Sequence, residues 1–188
     1  ASINLMKYVD ESGRFDLDAF RHTVRIFITA QDILVDNASY PTEEIASNSH
    51  LYRPLGLGYA NLGALLMSLG LPYDGDKRRA QAGVITALLT GFGFEASAEL
   101  AAARGAFDEF AKNEECMMKV IRMHEEALDQ LNVAQCPEDL RDAALASWER
   151  VLQAGPRHGF RNAQVTVLAP TGTIGFMMDC DTTGIEPD

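Results

Sequence analysis

The residues best suited to chemistry lie near the carboxyl end, in the stretch from Val165 to Ile174. Its first four residues are rich in β-branched side chains and predict a short buried strand. Pro170 ends this strand, because proline offers no N–H group to a sheet. Thr171, Gly172 and Thr173 follow. The glycine permits a ligand to approach the backbone closely, and the threonines add hydroxyl donors.

A helical turn that begins at Thr173 would point unpaired N–H groups at a ligand above the strand end. Such a strand–turn–helix start suits an anion, most often a phosphate. The loop lacks the Gly-Lys-Ser/Thr of the P-loop, which argues against a nucleotide phosphotransferase and favours phosphate holding without phosphate chemistry. An ordinary strand that ends in a Pro-Thr-Gly turn is the alternative that the same residues allow.

The composition is that of a globular protein with a strong negative charge. The 188 residues are 47% hydrophobic and 23% charged, which is enough for one domain with a core. The net charge of −11 argues against a nucleic-acid-binding protein, which normally shows a basic patch.

The three cysteines, Cys116, Cys136 and Cys180, have no short paired spacing, so neither a metal site nor a disulfide framework is predicted. An odd number of cysteines fits the reducing cytoplasm. No apolar run is expected to approach a membrane span, and no signal peptide is predicted.

Four long amphipathic helices are expected to position the carboxyl-terminal stretch. Asp16 is predicted to cap the first helix. Asp76 is predicted to cap the second, which ends at Gly105. The third helix is expected near residues 114–131. Pro137 is well placed in the first turn of the fourth, which is expected to end within the Gly-Pro-Arg-His-Gly stretch that follows it.

Shorter elements are predicted between these helices. Residues 2–9 fit either a strand or a helical turn. A short helix is expected to start at Thr42 and to be broken by the stretch at residues 48–54. Alternating leucine and glycine at residues 55–58 predicts a crowded strand. In the second long helix, two glycines near its middle predict a kink or close helix packing.

The four histidines and one arginine are the remaining candidates for chemistry. His22 lies off the apolar stripe of its helix and is predicted to be a surface residue. His124 is predicted to lie at the edge of the core. His158 is expected at the end of the last strand that faces away from the site. His50 and Arg53 either contact a substrate or pack against a strand end, and we predict packing.

Three blocks of the sequence resemble ribonucleotide reductase. The run from Ala169 to Asp188 looks like the phosphate-binding loop and adjoining active-site segment of that family, most closely in its adenosylcobalamin-dependent class II form. A second block, from Arg53 to Met67 (RPLGLGYANLGALLM), is similar to another segment of the family. The opening Ala-Ser-Ile-Asn-Leu resembles the segment just past the family's reactive cysteine. The match runs over nearly the whole chain.

The resemblance implies a predominantly helical α/β fold. It implies a part of the family's ten-stranded α/β barrel, with four long helices and two or three short strands. The chain is expected to be a single fragment, residues 1–188, with a helical part at 14–155 and a strand and phosphate loop at 164–188. Both ends are abrupt, which predicts a larger protein. Strands without their barrel partners have open edges, so self-association is expected.

The resemblance also implies a function for the carboxyl-terminal stretch. The family removes the ribose 2′-hydroxyl by radical chemistry, with adenosylcobalamin generating a thiyl radical on a cysteine. Backbone N–H groups of the loop, supported by the threonine hydroxyls, would hold the substrate's phosphates and so position the ribose. The implied phosphate-binding residues are Ala169, Pro170, Thr171, Gly172, Thr173 and Ile174. The implied pocket-adjacent residues are Gly184, Ile185, Glu186 and Pro187.

The catalytic residues that the resemblance implies are expected outside this sequence. In the family the radical cysteine, its accompanying Asn and Glu, and the redox-paired cysteines would precede Ala1. None of the three cysteines here matches those roles, and Cys180 is predicted to be a buried structural thiol. Most cobalamin contacts are also expected elsewhere. We therefore predict no reductase activity for this chain alone. Its partners would be a ribonucleotide and the rest of the reductase, with no nucleic-acid polymer and no membrane.

Two other functions are compatible with the residues. The chain could be a helical scaffold or interaction module, whose amphipathic helices bury one another around a few strands. It could also be a stand-alone phosphate-binding domain with no role in reduction. Stabilisation by a nucleotide would disfavour the scaffold. A tight nucleotide site that needs no further sequence would favour the stand-alone domain.

Overall fold

The structure, a computed structural model, describes residues 1–187 apart from the side chain of Val133. Within them the chain forms two short strands and seven α-helices, of which α1, α4, α5 and α6 are long, as expected. The elements in chain order are β1 (Ser2–Asn4), α1 (Leu17–Asn37), α2 (Glu43–Tyr52), β2 (Gly58–Ala60), α3 (Leu62–Ser68), α4 (Asp76–Arg104), α5 (Phe110–Glu126), α6 (Glu138–His158) and α7 (Thr173–Met177).

The two strands are parallel, with Ser2 opposite Gly58. An extended segment, residues 164–168, lies along the other side of β2 and joins it through a parallel bridge between Leu57 and Thr166. Leu57 donates its N–H to the carbonyl of Val165 and accepts one from Val167, both at 3.0 Å. A Cβ on Gly58 would lie 2.4 Å from the Val167 carbonyl oxygen. Only glycine fits this close approach, as the alternating pattern predicted.

The predicted buried strand at 165–168 is therefore correct only at its start. Val165 is fully buried, but Val167 and Leu168 are 43% and 42% exposed. The segment makes a single bridge rather than a continuous ladder. Its outer edge has no backbone partner within residues 1–187, and Pro170 prevents the strand from continuing. The described residues thus contain three parallel extended segments. This number agrees with the two or three short strands expected, and the ten-stranded barrel itself is not seen within residues 1–187.

Helix α4 lies at the centre of the core and packs against α1 and α6. Gly91 faces Ser147 and Trp148 of α6, and a Cβ at this glycine would lie 2.6 Å from the Ser147 hydroxyl. Gly93 faces Val165 of the extended segment, at 3.1 Å. The helix is continuous through both glycines. Of the two predicted outcomes, the structure shows close packing.

Helix α4 also corrects the expectation that no apolar run approaches a membrane span. Asp76–Arg104 is long and apolar enough to cross a membrane, by length and composition alone. However, most of its apolar stretch is buried inside the described structure. The helix is apolar because it is a core helix that packs against other helices.

The capping and turn residues in the sequence predicted most helix ends correctly, with a few differences. Asp16 caps α1 and accepts the N–H of Ala19 at 2.9 Å, as predicted. Helix α4 begins one residue after its N-cap Gly75 rather than being capped by Asp76. Helix α2 does not break early but runs to Tyr52. Helix α6 continues through Pro156 and ends at His158, before the C-cap Gly159. A proline in a last turn costs a single backbone bond, which the packing of α6 on α4 offsets.

The amino-terminal segment combines both predicted conformations, since β1 leads directly into a 3₁₀ turn at Leu5–Tyr8. Not every apolar residue of the long helices belongs to the core. Leu34 of α1, Val120 of α5 and Leu145 of α6 are at least 41% exposed, because the apolar face of each helix is wider than the face that packs.

A buried ionic network fixes the segment that leads to residues 164–168. The Arg53 guanidinium donates to Asp32 at 2.8 Å and to Asp36 at 2.6 Å. Asn162, also buried, donates to Asp32 at 2.9 Å and to the carbonyl of Arg53 at 3.1 Å. The hydrogen bond from Arg53 holds the pKa of Asp36 below its usual 3.8. This geometry confirms the packing role predicted for Arg53.

Candidate functional site

The loop at residues 169–174 lies where the three parallel segments end. Thr171 adopts a left-handed conformation, with φ of 53°, which is rare for a β-branched residue. It is 8% exposed, and its hydroxyl lies 2.9 Å from the Ser2 hydroxyl. The same hydroxyl is 3.2 Å from the Ala169 carbonyl and 3.4 Å from the Tyr59 carbonyl. The Thr171 hydroxyl is therefore directed into the protein, whereas the sequence predicted that both threonine hydroxyls would face a ligand.

The backbone N–H groups of the loop are available. Gly172, Thr173 and Ile174 are exposed, and the N–H groups of residues 171–174 have no acceptor within residues 1–187. The first internally bonded amide is that of Gly175, which donates to the Gly172 carbonyl at 2.9 Å. Helix α7 has only five residues, so its dipole adds little. Any attraction for an anion comes from the individual N–H groups.

The second predicted segment, residues 184–187, touches this loop through one residue. Gly184 donates its N–H to the Pro170 carbonyl at 2.9 Å, and a Cβ on Gly184 would lie 2.7 Å from the Ala169 carbonyl oxygen. The other three residues point elsewhere. The Ile185 carbonyl accepts the Tyr73 hydroxyl at 2.8 Å. The Glu186 carboxylate accepts the Thr183 hydroxyl at 2.9 Å, and Pro187 is exposed.

Two asparagines that the sequence analysis did not single out hold these segments together. Asn61, in the left-handed region with φ of 67°, donates to Asn4 at 3.0 Å and accepts the N–H of Thr182 at 2.8 Å. Asn4 donates to the Met178 carbonyl at 3.1 Å. The signal was present, because asparagine tolerates the left-handed conformation and each asparagine ends a short strand.

The cysteines and histidines provide no redox pair or metal centre. No group of three possible metal ligands occurs in the part of the chain that the structure describes. Cys180 is partly buried, whereas full burial was predicted. Burial is the main cause that raises the pKa of its thiol, and the neighbouring carboxylates of Asp181 and Asp179 raise this pKa further. His124 stacks on Trp148 with 5.8 Å between ring centroids. His124 is exposed on its other side, and partial burial against Trp148 lowers the pKa of its imidazole. The residue therefore lies at the edge of the core, as predicted.

A cleft of about 800 Å³ lies beside the exposed end of the extended segment. Its walls come from α3, α4, the end of α5 and α6, and are mostly apolar. Its charged residues are Asp74, Arg78 and Arg79. Arg78 is buried, and its guanidinium lies 4.0 Å from the centre of the Tyr73 ring. Cobalamin is a large macrocycle with many amide side chains, which needs a broad polar surface. This cleft does not provide one, so the cleft does not fit cobalamin.

Comparison with known proteins identifies the family. A family model described as "Ribonucleotide reductase, barrel domain" matches residues 1–188. The chain belongs to the ribonucleotide reductase family.

Several curated reductases resemble the whole chain. A vitamin B12-dependent ribonucleotide reductase from Rhodopirellula baltica is 58% identical over 188 residues, which cover all of this chain and 18% of that protein. One from Agrobacterium fabrum is 47% identical and is covered over 16% of its length. A vitamin B12-dependent ribonucleoside-diphosphate reductase from Mycobacterium tuberculosis is 30% identical, with 99% of this chain and 21% of that protein covered. The chain thus spans about a fifth of the length of the reductases it matches.

The sequence blocks that carry the reductase resemblance meet in space at this site. A hydrogen bond between the Ser2 and Thr171 hydroxyls joins the first block to the last, although the two residues are 169 positions apart in sequence. Asn4 and Asn61 join the first block to the middle one. In this reductase chain, residues far apart in sequence therefore determine the shape of one loop.

Proposed function

We propose that this chain is part of a cobalamin-dependent ribonucleotide reductase and that its loop at residues 169–174 holds the phosphates of the ribonucleotide substrate. The observation that carries the proposal is the set of exposed N–H groups without acceptors at residues 172–174. They lie at the carboxyl end of parallel strands, where ligands of α/β proteins gather. The relatives are named as vitamin B12-dependent reductases, which supports the reaction and the cofactor of the whole protein.

Backbone amides suit this task in an acidic chain. With a net charge of −11, the protein repels a nucleotide at long range. Several N–H groups that converge on one oxygen cluster can still bind it, because hydrogen bonds to a charged group are short and strong. The exposed Thr173 hydroxyl can add one donor. The contacts of Thr171 with Ser2, and of Pro170 with Gly184, fix the loop before the ligand arrives.

The role of this chain in the reaction is to place the ribose. In the whole protein, cobalamin held by chain outside these residues would supply the radical chemistry for loss of the 2′-hydroxyl. The residues here hold the phosphate end, which sets the distance between the ribose and the reacting groups. The three cysteines of this chain are free thiols, as is usual in the cytoplasm, where we place the whole enzyme.

The remaining residues act as barrel scaffold in this proposal. The parallel β1, β2 and segment 164–168 would be three strands of a ten-stranded barrel, completed by chain outside residues 1–188. In the isolated chain the edge of segment 164–168 is open, so we expect self-association. Light scattering at high protein concentration tests this, and a monomer at every concentration would contradict it.

Two measurements test the proposed function. In the full-length protein, the equilibrium affinity for the ribonucleotide should exceed that for the matching ribonucleoside, because the loop contacts only the phosphates. Equal affinities would refute the phosphate assignment. The isolated chain, incubated with a ribonucleotide, adenosylcobalamin and a dithiol, should form no deoxyribonucleotide. Product above background would show that the catalytic residues lie within residues 1–188.

The same measurements separate the two alternative functions. A scaffold module would show no change of thermal stability on addition of a ribonucleotide, either in the isolated chain or in the full-length protein. A stand-alone phosphate-binding domain would bind the nucleotide equally well in both forms. We expect a difference, with tighter binding in the full-length protein, since the ribose and base would find their contacts there.

A further inference from the structure

We propose that Asn4 and Asn61 are positioning residues for the phosphate loop. By fixing the carboxyl end of α7, they would aim the N–H groups of residues 172–174 at the substrate. The inference rests on the proposed function, because it takes these N–H groups to bind phosphate. It deepens that function by assigning a part in it to two buried side chains that lie outside the loop.

Helix α7 has little of its own to hold it in place. It contains five residues, which is too few for a helix to be stable alone. Its apolar side chains are not buried within the described residues, since Phe176 and Met177 are 83% and 85% exposed. Gly175 is its one buried residue. The direction of α7, and with it the direction of the N–H groups of residues 173–174, therefore depends on hydrogen bonds.

Asn4 supplies a hydrogen bond at the far end of α7. Its side-chain amide donates at 3.1 Å to the carbonyl of Met178, the C-cap residue of α7. Within residues 1–187 this is the one hydrogen bond between residues 172–181 and the rest of the chain. The Met178 N–H donates in turn to the carbonyl of Ile174, also at 3.1 Å. Asn4 is thus connected through Met178 to the phosphate loop.

Asn61 orients the carboxamide of Asn4. The Asn61 side chain donates to Asn4 Oδ1 at 3.0 Å, and the N–H of Met6 donates to the same oxygen at 3.1 Å. Because its oxygen is held by two donors, the carboxamide of Asn4 must turn its NH₂ group toward Met178. The two asparagines are 8% and 1% exposed, so water does not compete for these bonds.

The side chain of Asn61 has no local role in its own helix. Asn61 is the N-cap of α3, where an asparagine side chain normally accepts an N–H of the first turn, yet it makes no capping bond. The Thr182 hydroxyl accepts the N–H of Ala64 instead, at 3.2 Å. The left-handed conformation of Asn61 would suit glycine as well, so it does not account for the side chain. The contacts with Asn4 and with the N–H of Thr182 do.

The test measures how tightly full-length Asn4→Ala binds the ribonucleotide and the matching ribonucleoside. The substitution releases the Met178 carbonyl without adding a charge. Misaligned N–H groups then bind phosphate less well, because hydrogen bonds weaken as their angle departs from linear. We expect the Kd for the ribonucleotide to rise about 10-fold and the Kd for the ribonucleoside to change less than about twofold. An unchanged ribonucleotide Kd would overturn the proposal, as would an equal rise for both ligands.

Asn162→Ala is the matched control. Asn162 is also a buried asparagine with a fully bonded side chain, but its partners include Asp32 and the carbonyl of Arg53, in the ionic network. Both variants remove buried hydrogen bonds, so both should lower Tm. Only Asn4→Ala should change the ratio of the two Kd values, which separates positioning from a general loss of stability. The same change of ratio in Asn162→Ala would contradict the assignment.

Asn61→Gly tests the connection between the two asparagines. Glycine accepts the left-handed backbone, so this variant loses only the side chain. If Asn61 acts through Asn4, the rise of the ribonucleotide Kd in the double variant should be smaller than the product of the two single rises. A double variant that shows the full product would refute the role assigned to Asn61.

Hydrogen exchange of the full-length protein without ligand gives a readout that needs no phosphate binding. In Asn4→Ala the amides of Gly175 and Met178 should exchange faster than in the wild type, because the end of α7 is released. Unchanged exchange would overturn the proposal.

The proposed function and this inference fail in different ways. If the loop does not bind phosphate, the wild type itself binds the ribonucleotide and the ribonucleoside equally, while Asn4→Ala still accelerates exchange in α7. If the loop binds phosphate but the asparagines do not position it, the wild type prefers the ribonucleotide and Asn4→Ala prefers it to the same extent.

Discussion

Replacing Gly172 by alanine tests the phosphate loop directly, because the fold has room for the added methyl group. A Cβ at this position meets no atom within 4 Å, and φ is −75°. The ψ of −92° lies slightly beyond the usual helical range, so we expect a stability loss within about 1 kcal/mol. The methyl group would lie on the exposed surface of the loop, where the bound phosphate is expected.

The loss of affinity follows from the hydrogen bonds that the methyl group prevents. Each N–H bond to a charged group contributes roughly 1.5–3 kcal/mol. Loss of one such bond weakens binding about 10- to 100-fold, since every 1.4 kcal/mol or so is a factor of ten in Kd. We therefore expect Gly172→Ala to raise the Kd of the full-length protein for the ribonucleotide by about this factor and to leave Tm nearly unchanged.

Gly175→Ala is the matched control. This glycine lies in α7, directly after the loop, and an added Cβ there makes only ordinary contacts at 3.9 and 4.0 Å. Its amide already donates to the Gly172 carbonyl, so its replacement should not change the Kd. The assay is equilibrium binding of the ribonucleotide and of the matching ribonucleoside to both variants. An unchanged ribonucleotide Kd in Gly172→Ala, or an equal loss for the ribonucleoside, would refute the phosphate assignment.

Three further predictions concern the residues that support the site. Ser2→Ala removes the hydroxyl partner of Thr171 and should cost about 0.5–1.5 kcal/mol, measured as a raised ribonucleotide Kd with little change in Tm. Arg53→Met breaks a buried pair and should destabilise the protein by about 3–5 kcal/mol in urea unfolding, whereas Arg25→Met, at an exposed pair, should cost less than about 1 kcal/mol. Because the pKa of Asp36 is lowered below 3.8 by its hydrogen bond from Arg53, ionised Asp36 stabilises the protein above that pH. The difference in urea midpoint between the wild type and Asp36→Asn should be full at pH 7 and should shrink as the pH falls below 3.8; a difference that persists at pH 2 would contradict the assignment.

The features that the sequence predicted correctly are those that local physics decides. Asp16, Thr42 and Gly105 mark helix ends through side-chain caps and a positive φ, which depend on a few neighbouring residues. The end of α6 also falls within the predicted stretch at residues 155–159, although the helix continues through Pro156 because packing against α4 offsets the local cost. The extent of segment 164–168 was overestimated, because a strand needs partners that its own sequence does not specify.

The candidate site was predictable in its position but not in its internal geometry. The order of hydroxyls and glycines indicated a loop after a strand, and the structure places an exposed loop there. The direction of the Thr171 hydroxyl depends on Ser2, which lies 169 positions away. Periodicity and turn signals carry no information over such separations. Asn4 and Asn61 were missed for the same reason, since their partners lie in other blocks.

The shape of the loop depends on the sheet, and this dependence sets how distant changes should act. Thr171 is held in a left-handed conformation, which costs a β-branched residue about 1–3 kcal/mol, and it is fixed there by contacts to β1 and β2. A contact that stabilises these strands therefore also stabilises the loop. If chain outside residues 1–188 pairs with the open edge of segment 164–168, it adds rigidity to the end of this sheet. The full-length protein should then bind more tightly than the isolated chain even a ligand that contacts only residues 171–174.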